Sequence, residues 1–227
     1  MSGKLYGVGV GPGDSELLTL KALRLVKEAD VIAVPGENAR ESIAYKIVEG
    51  VYPSLSEKEL LAVPMPMIKE KDALQKAHDE AAELVKKELD MEKNVVFLTL
   101  GDPTVYSTYL YVHKRIAGMG YETEIVSGIT SFCAVAAKLN TGLVENKDML
   151  HVIPASYQVD DALNLDGTKV FMKAGKKIGA VKEKIKQAGA EGMMIENCGM
   201  PDEKIYKSVD EIPENAGYYS LIIVKEQ

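Results

Sequence analysis

The chain has 227 residues, 46% of them apolar and 27% charged, with a net charge of -7. That length allows one large domain or two modest ones, and the acidic balance weighs against broad affinity for nucleic acid, whose phosphates are met through a basic surface. The longest apolar run, Tyr218 to Val224, falls far short of the ~18 residues that span a bilayer.

The amino terminus, MSGKLYGVGV, lacks an extended apolar core before a small-residue cleavage site. It reads as a first strand rather than a signal peptide, and the chain is expected in the cytoplasm. Leu5 to Val10 is that strand. Leu18, Ala22, Leu25, Val26 and Ala29 then follow helical spacing, and Val31 to Val34 is a second short strand. The pattern continues with helical Glu41 to Val48 and Asp72 to Leu89, a buried strand Val95 to Leu100, a helix from about Thr104 to Ala117, a strand Thr123 to Val126, and a helix of about Ile129 to Leu139. Strands alternating with helices imply an α/β fold with a mostly parallel, Rossmann-like sheet, whose ligands gather at the carboxyl ends of the strands. The polar stretch Asn140 to Asp148 interrupts this order. Beyond it come apolar runs at Leu150 to Ile153, Lys169 to Lys173, Met193 to Glu196, Ile205 to Lys207 and Tyr218 to Lys225, with one clear helix, Ile178 to Ala188, which predicts a second, mixed α/β domain. The boundary falls between Ser127 and Asp148.

Three loops carry the chemistry. Gly7-Val8-Gly9-Val10-Gly11-Pro12-Gly13-Asp14 is not a dinucleotide fingerprint, because Pro12 or Asp14 stands where the third glycine belongs, and no Gly-Lys-Ser/Thr follows to meet phosphates and magnesium. Asp14 at a helix start would repel a phosphate and is expected as an N-cap. What remains is a turn where bare backbone approaches a bulky flat ligand. Leu98 to Pro103 ends a strand in Gly101-Asp102-Pro103, with Asp102 expected as N-cap and Pro103 at the first helical position. Val126 to Ser131 repeats strand, glycine turn and small hydroxyl residues. Basic residues cluster at Lys21, Arg24 and Lys27 and at His113, Lys114 and Arg115, ordinarily solvated helix faces. Cys133 and Cys198 form neither a disulfide framework nor a metal-ligand spacing, so they read as small buried hydrophobes, and no metal is expected.

GVGVGPGD with Leu17 to Ala22, LTLGDPTVYSTYLYVHKR from Leu98 to Arg115, and EIVSGITSF from Glu124 to Phe132 together resemble the tetrapyrrole (corrin/porphyrin) methylase family. Within it, GDPTVYSTYLYVHKR is most similar to the enzymes that methylate carbon 20 of precorrin-2 or its cobalt-containing form. The resemblance implies two α/β domains, 1–131 and 132–227, S-adenosylmethionine as methyl donor, a tetrapyrrole substrate of cobalamin biosynthesis, and a homodimer. It implies cofactor contacts at Pro12, Leu100, Gly101, Asp102, Val105, Thr130, Ser131 and Met172, and at Cys198 and Gly199, where the family often has Asn-Gly-Thr. It also implies that the first loop floors the macrocycle trough, with Gly9, Gly11, Gly13 and Asp14, and Tyr106 is placed beside them. Arg40, in the mobile-looking PGENARES segment after the second strand, is a candidate for the substrate carboxylates, as are Arg24, Lys46 and Arg115. Of Tyr106, Tyr109 and Tyr111, two and three residues apart, at most Tyr106 and Tyr109 share a helix face. Asp102, Asp14, Tyr106 and His113 are candidates to take up a proton, and none is assigned as a base. Two other readings stay open: a methylase of the same fold acting on another ring carbon, RNA or protein, and a non-catalytic binder of a tetrapyrrole or nucleotide.

Overall fold

The computed structural model describes residues 2–66, 68, 70–155 and 159–225. The chain divides into two compact units, Met1–Thr130 and Ser131–Gln227.

In the first unit, strands β1 (Leu5–Gly9), β2 (Val31–Pro35), β3 (Glu59–Val63), β4 (Val95–Thr99) and β5 (Thr123–Val126) form a five-stranded sheet in the order β3-β2-β4-β1-β5. Every pairing in it is parallel. Helices α1 (Leu20–Glu28) and α2 (Ile43–Val51) pack on one face, where Ala22, Leu25, Val26, Tyr45 and Val48 meet Val8, Ile32, Val34, Val96 and Leu98. Helices α3 (Lys71–Asp90) and α4 (Tyr109–Gly118) cover the other, where Ala81, Val85, Leu89, Tyr109 and Ile116 meet Leu5, Val31, Ala33, Val95 and Phe97. Alternate residues of each strand thus serve opposite layers, and each fully buried Val, Leu, Ile or Phe contributes ~1.5–3 kcal/mol.

In this strand order the connection leaving β1 runs through α1 to β2, and that leaving β4 runs through α4 to β5, in opposite directions and on opposite faces. A crevice opens where such connections diverge, so the carboxyl ends of β1 and β4 form the switch point of the sheet.

In the second unit, β6 (Leu150–Pro154), β7 (Thr168–Met172), β8 (Glu191–Glu196), β9 (Lys204–Tyr206) and β10 (Ser220–Lys225) form a mixed sheet, order β6-β7-β10-β8-β9. The pair β6 and β7 is parallel and the remaining pairings are antiparallel. Helix α5 (Ser131–Lys138) covers one face through Val135 against Val170, Ile195 and Ile223; α6 (Val159–Leu163) and α7 (Ile178–Gln187) cover the other.

Several sequence expectations need correction. Helix α4 starts at Tyr109, not near Thr104, because residues 103–108 form turns in which Tyr106 takes a left-handed φ of 49° that no helix accommodates. Asp102 and Pro103 therefore do not open a helix. Asp14 does cap, but it caps the 3-10 turn Ser15–Leu17, accepting from Glu16 N, while Thr19 caps α1. The third strand and α6 were not expected. Cys133 is exposed and Cys198 half-buried, so neither is a core residue. In the Arg40 segment, Ala39–Glu41 is a 3-10 turn capped by Asn38. No described helix is long and apolar enough to cross a membrane, and no group of three or more His, Cys, Asp or Glu among the described residues could hold a metal ion.

The α3–α4 seam carries a pH-sensitive group. His78 is 3% exposed and stacks on Tyr111, with ring centroids 4.3 Å apart, and its Nδ1 has no hydrogen-bond partner among the described residues. Burial, and secondarily the Arg115 guanidinium, hold its pKa below the ordinary 6.5. The folded chain thus binds this proton more weakly than the unfolded one, so its contribution to stability is complete above pH 6.5 and is lost as the pH falls below it. Thermal unfolding between pH 7.5 and 5 is expected to show a decline in Tm that is reduced in His78→Gln; an identical decline in both proteins would assign it to other groups.

Candidate active site

The alternating glycines of the first loop have three different physical causes. A Cβ at Gly7 would lie 1.9 Å from the Tyr109 ring, which fills the layer beneath β1. At Gly9 it would meet the Gly101 carbonyl oxygen at 2.6 Å and Gly128 N at 2.7 Å. Gly11 takes a φ of 80°, disfavoured for residues with a Cβ.

Gly11 and Gly101 are joined by a two-way bridge, Gly101 N donating to Gly11 O at 2.8 Å and Gly11 N to Gly101 O at 3.2 Å. Gly128 belongs to the same junction, since a Cβ there would lie 2.2 Å from Gly101 O and 2.7 Å from the Gly9 carbonyl carbon. The loops after β1, β4 and β5 are therefore packed backbone on backbone at the switch point. Gly9 and Gly128 are spent on that packing. Gly101 is different: with a φ of 70°, its Cβ position meets nothing closer than Ile129 O at 3.9 Å, so space is left beside its Cα although the residue is buried and its N–H and carbonyl are both bonded to Gly11.

Asp102 locks the junction. It is 7% exposed; one carboxylate oxygen accepts from Thr104 N at 2.8 Å and Thr104 Oγ1 at 2.5 Å, and the other accepts from Gly128 N at 3.0 Å. One oxygen thus holds the β4 loop's own turn and the other clamps it to the β5 loop, and this double engagement argues against a base role. Asp14 is occupied at its turn, and the His113 ring is tied through Nδ1 to Tyr109 Oη at 3.0 Å, with burial holding its pKa low.

Pro12 is buried, Gly13 half-buried and Asp14 exposed along the first loop; Leu100 and Val105 are half-buried on the β4 loop, and Tyr106 is 47% exposed there. Thr130 follows β5, and its Oγ1 is buried without a hydrogen-bond partner among the described residues. All of these belong to the first unit, at the carboxyl end of its sheet. Arg40 lies beyond β2 in the same unit, its guanidinium donating to Ser56 O at 3.0 Å and Tyr45 Oη at 3.4 Å. Of the other basic residues expected near substrate, Arg115 is bonded to Asp79 and Gln75 and Arg24 to Glu28, while Lys46 is exposed on α2.

Ser131, Met172, Cys198 and Gly199 belong to the second unit. Ser131 opens α5, Met172 ends β7, and Cys198 and Gly199 follow β8 in a turn where Asn197 and Gly199 take φ values of 55° and 76°. Antiparallel β10 begins between the ends of β7 and β8, so Tyr218 and Tyr219 arrive at this same end, with Asn197 N donating to Tyr219 O at 3.0 Å. Sequence reading had taken Tyr218 as the start of the last strand.

Three comparisons bear on identity. A cobalt-precorrin-2 C(20)-methyltransferase of Methanocaldococcus jannaschii, named as probable, is 38% identical over 229 residues, covering 98% of this chain and 96% of that protein. The cobalt-precorrin-2 C(20)-methyltransferase of Salmonella typhimurium is 30% identical over 236 residues, covering 100% of this chain and 98% of that protein. Among solved structures, the uroporphyrin-III C-methyltransferase of Thermus thermophilus complexed with S-adenyl homocysteine shares the fold, with a TM-score of 0.70 at 22% identity over 99% of this chain and 98% of that one. The profile of the tetrapyrrole (corrin/porphyrin) methylases matches residues 4–213, and the chain belongs to that family.

Proposed function

We propose that the chain is an S-adenosylmethionine-dependent C-methyltransferase that methylates carbon 20 of precorrin-2 or of its cobalt-containing form, a step of cobalamin biosynthesis, and that it works as a homodimer. The observation that carries the reading is 38% identity, along essentially the whole of both chains, to a relative bearing that name. The glycine junction at the switch point supports it, because it leaves space free of side chains beside Gly101, where a bulky flat ligand needs close approach.

The residues present fit the proposed cofactor. In the first unit Gly101 leaves space beside its Cα, the buried Thr130 hydroxyl lacks a protein partner among the described residues, and Leu100 and Val105 offer half-buried apolar surface; in the second unit Met172 is half-buried. The other proposed contacts are Pro12 and Asp102 in the first unit and Ser131, Cys198 and Gly199 in the second. When bound, S-adenosylmethionine supplies a methyl group already activated at a sulfonium centre. The chain then needs no nucleophile of its own, consistent with a buried carboxylate, Asp102, that is committed to a clamp. Its task is orientation, which is worth ~7–11 kcal/mol when reacting groups are held at near-attack distance. Gly11, Gly13 and Asp14 would floor the macrocycle, with Gly9 given over to the loop packing; Tyr106 would lie against it, and Arg40, oriented by Tyr45 and Ser56, would meet a carboxylate.

Anaerobic incubation with methyl-labelled S-adenosylmethionine and, separately, precorrin-2 and cobalt-precorrin-2 tests the reading. Label is expected at carbon 20, with the faster substrate identifying the metal state. Label at another ring carbon would reassign the position, label in RNA or protein alone would reassign the acceptor, and cofactor binding with no transfer would sink the enzymatic reading.

A further inference from the structure

Thr99 places a hydroxyl at the top of an apolar layer. It ends β4 and, at the alternate-residue spacing of a strand, falls on the side of Val95 and Phe97, which pack against α3 and α4. The residue is 7% exposed; its Oγ1 lies 2.8 Å from Ser107 Oγ and has no other hydrogen-bond partner among the described residues. Ser107 is half-buried on the loop that carries Asp102 and Tyr106. Its Oγ also accepts from Tyr109 N at 3.2 Å, meeting one of the N–H groups that the start of α4 leaves unpaired.

Two hydroxyl groups carry two protons, and only one of these lies between the oxygens. Were Ser107 the donor, the Thr99 proton would be buried with no acceptor among the described residues, and an unmade buried donor is the costly case. Thr99 is therefore the donor. Ser107 Oγ then takes in two hydrogen bonds, from Thr99 Oγ1 and from Tyr109 N, which fills its acceptor positions and leaves its own O–H without a protein acceptor among the described residues. The same two bonds hold the side chain in one orientation, so this O–H is aimed before any ligand arrives.

We propose that Ser107 is a substrate-binding residue whose O–H donates to a carboxylate, that of an acid side chain of the macrocycle, and that Thr99 is the residue that positions it. The identity of the ligand rests on the methyltransferase reading. With its acceptor positions filled, Ser107 can only donate, which suits a carboxylate and not an ammonium or a sulfonium. Tyr106, the preceding residue, is 47% exposed on the same loop, so the carboxylate held at Ser107 would belong to the ring that lies against Tyr106. The methyl donor has a carboxylate too, and S-adenosyl homocysteine, which carries the same one, separates the two sources.

The test is anaerobic absorbance titration of cobalt-precorrin-2, beside calorimetric titration of S-adenosyl homocysteine, on the full-length protein and its Ser107→Ala, Ser107→Thr and Thr99→Val variants. Ser107→Ala is expected to weaken macrocycle binding about tenfold, the loss of one hydrogen bond to a charged group, with the homocysteine ligand within about twofold of wild type. Ser107→Thr keeps the hydroxyl and should recover most of the loss. Thr99→Val breaks the same pair but leaves the Ser107 O–H in place, so it should lower Tm and weaken the macrocycle by no more than about threefold, the cost of a less firmly aimed donor. Unchanged macrocycle binding in Ser107→Ala, or equal weakening of both ligands, overturns the proposal. Equal weakening by Ser107→Ala and Thr99→Val overturns it as well, since the pair would then act only through the shape of the loop. Weakening of the homocysteine ligand alone overturns it in favour of the methyl donor's carboxylate. Methyl transfer by the wild-type protein reports separately on the parent reading: a macrocycle bound but not methylated overturns that reading and leaves the Ser107 result standing. A wild-type protein that binds no macrocycle overturns both.

Discussion

Gly9→Ala is expected to abolish measurable methyl transfer and to destabilise the fold by about 3 kcal/mol, the upper end of the usual cost of overpacking. The added methyl carbon would sit 2.6 Å from Gly101 O, 2.7 Å from Gly128 N and 2.8 Å from Gly128 Cα. All three are backbone atoms, so no side chain can rotate away. Relief requires the β4 and β5 loops to part, which would strain the Gly11–Gly101 bridge and the Asp102–Gly128 hydrogen bond together. Urea unfolding and initial transfer rates on the variant check both parts. Gly36→Ala is the control: its φ of 123° strains the backbone but nothing lies within 4 Å of its Cβ position, so it should lose some stability and keep its rate. A Gly9→Ala protein with wild-type rate would show that the junction is not needed for the chemistry.

Both sheets could be anticipated from sequence because their central strands are short apolar runs separated by helical periodicity, the strongest local signal a chain carries. The exceptions have local causes. Glu59–Val63 is an edge strand with a single fully buried residue, and it follows a 3-10 turn, so neither alternation nor a buried run marks it. The five-residue helix Val159–Leu163 is too short to establish a period. The late start of α4 was hidden because Asp102-Pro103 reads as a good helix opening, whereas the Asp102 carboxylate is drawn to Gly128, 26 residues away, an attraction no local pattern records. The same limit applies at the site. The three glycine loops were recognisable as loops at strand ends, but which glycines face a ligand and which face each other depends on strand order. The Tyr218–Tyr219 pair was hidden inside an apolar run that looked like uninterrupted strand.

Tyr106→Gly should separate function from stability. Tyr106 holds a φ of 49°, a region that costs an ordinary residue ~1–2 kcal/mol, yet this large ring stays 47% exposed. Glycine would relieve that strain and lose ~0.5–1 kcal/mol through the extra freedom of the unfolded chain. The two effects partly offset, so unfolding stability should change by about 0 to 1.5 kcal/mol, in the stabilising direction if at all. Catalysis should behave otherwise. Loss of an aromatic face stacked on a flat conjugated ring costs roughly 1–3 kcal/mol, so the KM for the macrocycle should rise about tenfold to a hundredfold while that for S-adenosylmethionine stays near wild type. Strained backbone under a large exposed side chain is retained where the side chain has work at a ligand, and here it stands on the loop that carries Gly101 and Asp102. The opposite outcome, a destabilised protein with unchanged KM, would mean that Tyr106 holds its conformation for the sake of the fold and that the macrocycle is gripped elsewhere.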